Sequence, residues 1–239
     1  MLTSSGAGVI GNDALGSAMH KHFFEKNPCS VEVFIDGRKE DPMLSSLFFR
    51  EPKDMNAAER EAMNRCRGRV LDVGAGAGCH ALELQRMGLD VVALEQSKRA
   101  CEVMRARGVF NVEQANIYSY SRGAFDTILL LMNGFGIAGS EEGVIELLIH
   151  LKTLLAPGGR IVGDSTNIRY FKQEQSRFDL EKGNFCEVQF EIRLEDDKQV
   201  FPWIYPDEVL LEVLAEEAGL MYNTILYTDD YHFLCELYV

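Results

Sequence analysis

The stretch Val70-Leu71-Asp72-Val73-Gly74-Ala75-Gly76-Ala77-Gly78 decides how this chain folds. An apolar run with β-branched valines ends in an acid, and a glycine-rich turn follows at once. Ala81, Leu82 and Leu84 then begin a helical pattern, so the reading is strand, tight loop, helix. Glycines let the backbone take positive φ and let a ligand approach closely. Unpaired N–H groups at the start of the helix favour a negatively charged group. A unit of this kind binds a nucleotide-like molecule at the carboxyl end of a parallel strand.

The loop itself narrows the ligand. A dinucleotide fingerprint wants a third glycine where Cys79 stands, and a P-loop wants a Lys followed by Ser or Thr, absent here. Asp72 instead precedes the glycines. A carboxylate there suits an amino-acid ammonium group or a ribose, and it repels a pyrophosphate. A second acid, Glu95, closes the apolar run Val91-Val92-Ala93-Leu94. It stands about 20 residues downstream, where a ribose-binding acid is expected.

The pattern repeats outward from this unit. Helices are expected over 79–87 and 97–107, ended by Gly88 and Gly108, with strands over 90–94 and 109–112. Residues 125–132 form a nearly continuous apolar run, the mark of a central strand buried on both faces. That strand delivers Asn133-Gly134-Phe135-Gly136 to the same edge as Gly74 and Glu95. A helix over 141–155, the turn Pro157-Gly158-Gly159 and a strand over 160–164 follow. Alternating strand and helix means a doubly wound parallel α/β sheet.

On these residues the chain resembles the class I S-adenosylmethionine-dependent methyltransferases. Val70 to Gly78 resembles their motif I, and Glu95 their ribose acid. Phe125-Asp126-Thr127-Ile128-Leu129-Leu130-Leu131 resembles their fourth strand, and Leu154 to Val162 the turn and fifth strand after it. The match runs from about Arg69 to the C-terminus, interrupted after Asp164. More narrowly, the chain is similar to a bacterial group with Phe-Phe-Arg before motif I, here Phe48-Phe49-Arg50, and Met-Asn-Gly after the fourth strand, here Met132-Asn133-Gly134.

The resemblance implies a Rossmann-like sheet of seven strands, mostly parallel with an antiparallel last strand, and S-adenosyl-L-methionine as cofactor. It implies that Asp72, Gly74, Ala75, Gly76 and Gly78 hold the cofactor, with Glu95 and Gln96 at its ribose. Asn116 and Ile117 stand where the family has an acid and an apolar neighbour against the adenine. Asn116 departs from the acid, although its carbonyl still accepts from an amino group. Met132 and Asn133 close the list at the fourth strand's end. Arg50 either pairs with the cofactor carboxylate, a task that suits a guanidinium, or is a surface arginine beside core phenylalanines.

The ends of the chain are less regular. Residues 1–8 are Gly/Ser-rich. A helix is expected from Asn12 to about Glu25, capped by Asn12 or Asp13, with an extended segment at Val31, Val33 and Ile35 and a helix over 56–66. Residues 1–66 are expected to cover the site, and 67–239 to form the catalytic domain with an insertion over 165–205. Within the insertion, Phe185 to Leu194 alternates polar and apolar residues, Asp196-Asp197 turns and Gln199 to Ile204 returns, so a β-hairpin is expected after strand five. Pro206-Asp207 opens a last helix, and two strands follow across Asp229-Asp230.

Composition bounds the partners. The 239 residues carry 24 basic and 37 acidic side chains, a formal charge of −13. That balance disfavours nucleic acid and anionic membranes. Six cysteines occur without a Cys-x-x-Cys pair, so no metal site is expected and reduced thiols in a cytoplasmic protein are the simpler reading. Neither a signal peptide nor a bilayer-length apolar stretch is evident.

Methyl transfer from a sulfonium is an in-line displacement in which positioning does much of the work, so no catalytic residue is assigned. His20, His22, His80, His150, His232 and Asp164 are candidate bases, each with a structural role as the alternative. Asn133 lacks the Pro-Pro-Tyr that follows it in many amino-methylating enzymes. Phe135, Trp203 and Tyr205 are candidates to line an apolar pocket for a small-molecule acceptor. A non-catalytic cofactor-binding module and a nicotinamide oxidoreductase remain open beside the methyltransferase.

Overall fold

The computed structural model describes residues 10–168, 186–228 and 231–239. The Gly/Ser-rich start, Phe185, the middle of the insertion and the Asp229-Asp230 turn lie outside those residues.

β1 (Ile10–Gly11) leads into α1 (Ala14–Phe24), capped by Asp13, whose carboxylate accepts the Gly16 N–H at 3.0 Å. β2 (Ser30–Ile35), β3 (Arg38–Lys39) and β4 (Met43–Leu44) follow, then 3-10 turns over Ser45–Phe49 and Pro52–Asp54. α2 (Ala57–Arg65) opens with a reciprocal capping box between Asn56 and Glu59. The alternating part comprises β5 (Arg69–Val73), α3 (Cys79–Arg86), β6 (Asp90–Glu95), α4 (Lys98–Arg107) and β7 (Asn111–Gln114). It continues through β8 (Phe125–Leu130), α5 (Glu141–Leu154) and β9 (Leu155–Thr166). β10 (Glu187–Leu194), β11 (Asp197–Ile204), α6 (Glu208–Glu217), β12 (Met221–Tyr227) and β13 (His232–Tyr238) complete the chain.

Seven strands form the main sheet in the order β12-β13-β9-β8-β5-β6-β7. β5 to β9 run parallel, and β13 is inserted antiparallel between β12 and β9. This is the Rossmann-like sheet expected, with its antiparallel last strand. Leu71, Leu94, Ile128 and Leu130 face one core with α5 and α6, while Val70, Ala93, Leu129 and Val162 face the other with α2, α3 and α4. Burial on both faces accounts for the unbroken apolar run of β8. Each buried leucine contributes about 1.5–3 kcal/mol. Chain order reverses between β5 and β8, so their carboxyl ends frame the crevice where such sheets bind ligands.

The hairpin β10–β11 belongs to a second, antiparallel sheet that the N-terminal region completes, in the order β1-β11-β10-β2-β3 with β4 also on β2. Phe190 pairs with Ile35, and Ile192 with Val33. Val31, Val33, Val188 and Ile192 pack with Ala14 and Ala18 of α1. Glu191, on the opposite face, binds Arg193 and Lys198. α1 thus lies between the second sheet and α4. Its Met19 joins Ala77, Ala100 and Val103, and Ser97, the N-cap of α4, hydrogen-bonds Asp13 at 2.6 Å.

Some boundaries differ from expectation for local reasons. Val109 lies in the turn that closes off α4 instead of opening β7, because Gly108 turns left-handed and the Val109 N–H returns to the Met104 carbonyl at 3.0 Å. β9 starts at Leu155 and not Arg160, with an irregular register opposite Phe125 to Thr127, so Pro157-Gly158-Gly159 lies within the strand. The hairpin turns at Glu195-Asp196, one residue early, because Glu195 takes a φ of 53° and Asp197 already pairs with Leu194.

Candidate cofactor site at the carboxyl edge of the sheet

The glycine loop folds over the end of β6: the Gly74 and Ala75 N–H groups donate to the Leu94 carbonyl at 2.9 and 3.1 Å. Gly74 has a φ of 72°, and the space where its side chain would begin is open, so the backbone is bare on that side. Gly78 caps α3 with a φ of 80°, and a Cβ there would meet Val109 at 2.8 Å. Only glycine lets α3 start this close to its neighbours. The loop is tied to Glu95, which accepts the Gly76 N–H at 3.0 Å and the Ser97 N–H at 2.9 Å. Burial raises the proton affinity of Glu95, and the Ser97 and Gly76 N–H groups oppose that rise. Gln96 is exposed beside it and accepts the Gln114 amide at its carbonyl, 3.5 Å away.

The residues expected near the adenine lie on the next loop, where the Ala115 N–H donates to the Glu95 carbonyl at 3.1 Å. The Asn116 carbonyl, expected to face an amino group, accepts the Tyr118 N–H at 2.9 Å and caps a 3-10 turn. Ile117 is buried in the core with Leu71, Val73 and Leu94.

Asp72 is only 2% exposed, and its Oδ2 has no hydrogen-bond partner. Burial raises its proton affinity, opposed by His80 and the Ala81 N–H. Fully buried Glu59 stands nearby. Its Oε1 binds both the Arg50 guanidinium and His80 Nε2, the latter at 2.9 Å, and its Oε2 takes the Asn56 N–H. Burial works against the Glu59 charge, yet His80, the Asn56 N–H and Arg50 together hold the carboxyl below its ordinary range. Arg50 also approaches the Met132 sulfur at 3.1 Å, while its buried Nε has no partner. The charges of Asp72, Arg50 and Glu59 all act on the Cys79 thiol, which burial raises first. The structure therefore brings Arg50, Asp72 and Met132 to one region, with one unused acceptor and one unused donor of opposite charge.

Met132 and Asn133 follow β8 in left-handed backbone, with φ of 64° and 59°. Asp164 holds them by accepting both N–H groups, at 3.3 and 2.6 Å, and its Oδ2 also meets His232 Nε2 at 3.0 Å. Asp164, a candidate base with a structural role as the alternative, is thus a buried brace. The Thr166 hydroxyl donates to the side-chain carbonyl Oδ1 of Asn133 at 2.8 Å. Phe135, a candidate for the acceptor pocket, is fully buried under Gly163 in the main core. Trp203 and Tyr205 are half-buried on the inner face of the second sheet, and the Trp203 indole lies directly against Gly136. Among the candidate histidines, His20 packs on Phe24, His22 on Phe49 and Ser45, His80 on Glu59 and His232 on Asp164.

Sequence reasoning expected residues 1–66 to cover the site but did not name which of them lie over the loop. Phe48 and Met19 lie 3.6 and 3.8 Å from where a Gly76 side chain would begin, and Arg107 ties Ala77 to Phe48 through their carbonyls at 2.5 and 3.4 Å. It also missed Glu59. Asn56-x-x-Glu59 is legible as a capping box, but nothing local marks the reach to Arg50 and His80. A shallow cavity lined by Gly158, Arg160, Glu236 and Tyr238 lies at the opposite, amino-terminal edge of β9. Among the described residues no group of three or more His, Cys, Asp or Glu could hold a metal ion, and no helix is long and apolar enough to cross a membrane.

With this geometry in place, comparisons with known proteins are specific. Residues 70–159 match the family described as a methyltransferase domain. A crystal structure of an S-adenosylmethionine-dependent methyltransferase from Bacteroides fragilis, in complex with S-adenosyl-L-homocysteine, is 34% identical, with 99% of each chain covered and a TM-score of 0.88. Protein-L-isoaspartate O-methyltransferase from Aromatoleum aromaticum is 35% identical over 103 residues, 40% of this chain. The chain spans about half the length of the curated relatives it matches, 43% and 51%. The CcbJ methyltransferase from Streptomyces caelestis, 17% identical with 80% of this chain and 98% of that one covered, shares the fold at a TM-score of 0.57.

Proposed function

The chain belongs to the S-adenosylmethionine-dependent methyltransferases, and from that premise we propose that it binds S-adenosylmethionine at this edge and methylates a small-molecule acceptor. Membership in this family sets aside the nicotinamide oxidoreductase reading. One observation carries the site assignment: Arg50 Nε and Asp72 Oδ2 are both buried and lack partners. Leaving such groups unpaired is costly, and an α-amino acid, with its ammonium and carboxylate, complements the pair.

When bound, S-adenosylmethionine supplies a methyl group made electrophilic by its sulfonium. The chain's residues bind and orient. In this reading Asp72 takes the ammonium and Arg50 the carboxylate. Glu95 keeps lone pairs for the ribose hydroxyls while the Gly76 and Ser97 N–H groups fix its orientation. Gly74, Ala75 and Gly76 present bare backbone, Gly78 sets the start of α3, and Gln96, Asn116 and Ile117 border the nucleoside end. Met132 and Asn133 stand at the end of β8, between the amino-acid end and the second sheet. Holding an acceptor in line with the methyl needs no dedicated base.

A small acceptor fits the surroundings. Trp203 and Tyr205 offer an apolar, half-buried wall beyond Asn133, as small-ligand sites commonly do. The charge of −13 disfavours nucleic acid. Mass analysis of ligand released from natively purified protein, followed by labelled methyl transfer to small-molecule, protein and nucleic-acid pools, tests this reading. Incorporation confined to small molecules is expected. Incorporation into nucleic acid, or a co-purified nicotinamide nucleotide, would overturn it.

A further inference from the structure

We propose that Glu59 is a positioning residue for the amino-acid end of the cofactor, holding the Arg50 guanidinium so that its unused Nε receives the carboxylate. The inference rests on the cofactor site proposed above.

Glu59 does more than a helix cap requires. Its Oε2 accepts the Asn56 N–H at 2.9 Å, which completes the capping box. Its Oε1 reaches the other way and binds two groups from separate parts of the chain, Arg50 before α2 and His80 in the first turn of α3. A fully buried carboxylate is costly unless paired on all sides, and capping alone gives no reason to bury it. The arrangement does explain how Arg50 stays at the site. Arginine is long and loses rotamer freedom when fixed, and fixing it before the ligand arrives lowers the cost of binding. Glu59 anchors Nη2, the Met132 sulfur lies against the same nitrogen at 3.1 Å, and Nε is left buried and unused. His80 holds Glu59 from the side of Asp72, whose raised proton affinity it opposes. Three charges alternate in sign to suit a zwitterion, Asp72 for the ammonium, Arg50 for the carboxylate and Glu59 behind Arg50, and the His80 ring holds Glu59 in turn.

A rival role makes the opposite prediction. If Glu59 merely neutralised Arg50, it would compete with the ligand carboxylate, and removing its charge would tighten binding. Two ligands separate the cases. S-adenosyl-L-homocysteine carries the amino-acid end, whereas 5′-methylthioadenosine lacks it and engages only the nucleoside side. Titration calorimetry on wild type, Glu59→Gln and Glu59→Asp should show both ligands bound by wild type. Glu59→Gln should weaken S-adenosyl-L-homocysteine by about tenfold or more and leave 5′-methylthioadenosine unchanged. Glu59→Asp keeps the charge but is too short to serve Arg50, His80 and Asn56 together. It should show the same selective loss, and it stands in if Glu59→Gln does not fold by thermal melting. Equal weakening of both ligands marks a structural role, and unchanged or tighter S-adenosyl-L-homocysteine marks a competitor; either overturns the inference while leaving the cofactor site standing. Wild type that binds neither ligand overturns the cofactor site and this inference with it.

Discussion

Asp164 Oδ1 lies 2.6 Å from the backbone nitrogen of Asn133 and accepts its N–H, while Asp164 Oδ2 serves Met132 and His232. One carboxylate near the end of β9 thereby fixes two left-handed residues at the end of β8, where the sheet's crevice opens. Left-handed backbone costs a methionine or asparagine on the order of 1 kcal/mol, so it persists only where neighbours over-determine it.

Asp164→Ala should therefore destabilise the protein by about 2–3 kcal/mol, since it leaves two backbone donors unpaired. Asn133→Gly, which accepts the same backbone without strain, should stay within about 1 kcal/mol of wild type. Urea denaturation distinguishes them, and an unchanged midpoint for Asp164→Ala would remove the brace.

Asp72→Asn should move stability and affinity in opposite directions. Burial raises the Asp72 carboxyl above its ordinary value. At a pH below the unfolded value, about 3.9, both states hold the proton and the charge costs nothing. As pH rises, the unfolded carboxyl ionises first, so the folded state loses ground until its own carboxyl ionises. Asp72→Asn should thus stabilise the ligand-free protein by about 1–3 kcal/mol at neutral pH and by less near pH 4. It should weaken S-adenosyl-L-homocysteine by a similar amount. Melting curves that show destabilisation at neutral pH would contradict the unpaired state of Oδ2.

Gly136 and Trp203 should be coupled. The indole lies where a Gly136 side chain would begin, so Gly136→Ala should cost about 1–3 kcal/mol by overpacking. In the Trp203→Ala background the same substitution should cost little. A double-mutant cycle with no coupling energy would mean that the second sheet does not dock through this contact.

The main sheet was legible because its signals are local. The valine run into Asp72, the glycines and the apolar strand 125–131 each carry their own period, and Gly88 and Gly108 punctuate them. Asp72, Gly74 and Glu95 were legible for the same reason: strand ends and glycine turns place them on one edge. The second sheet was not, because the alternation in Glu187–Leu194 marks a strand but does not say that Phe190 pairs with Ile35, far away in sequence. Phe135 stayed ambiguous in the sequence, because an aromatic after a strand looks the same whether it lines a crevice or fills the core beneath Gly163. Glu59 was read only as part of a helix, since its partners Arg50 and His80 meet it through tertiary packing.

Nucleic acid should not bind. With 37 acidic against 24 basic side chains, gel shifts with DNA or RNA near physiological ionic strength should show no complex. A shift that weakens as salt rises would reveal phosphate neutralisation and a local basic surface.

The most direct measurement is titration calorimetry of S-adenosyl-L-homocysteine into wild-type and Glu95→Ala protein. One ligand per chain is expected for wild type, and Glu95→Ala should lose about 1.5–3 kcal/mol, the weight of charge-assisted hydrogen bonds to a ribose. No binding by wild type, or binding unaffected by Glu95→Ala, would contradict the placement of the cofactor at the carboxyl edge of β5 and β6.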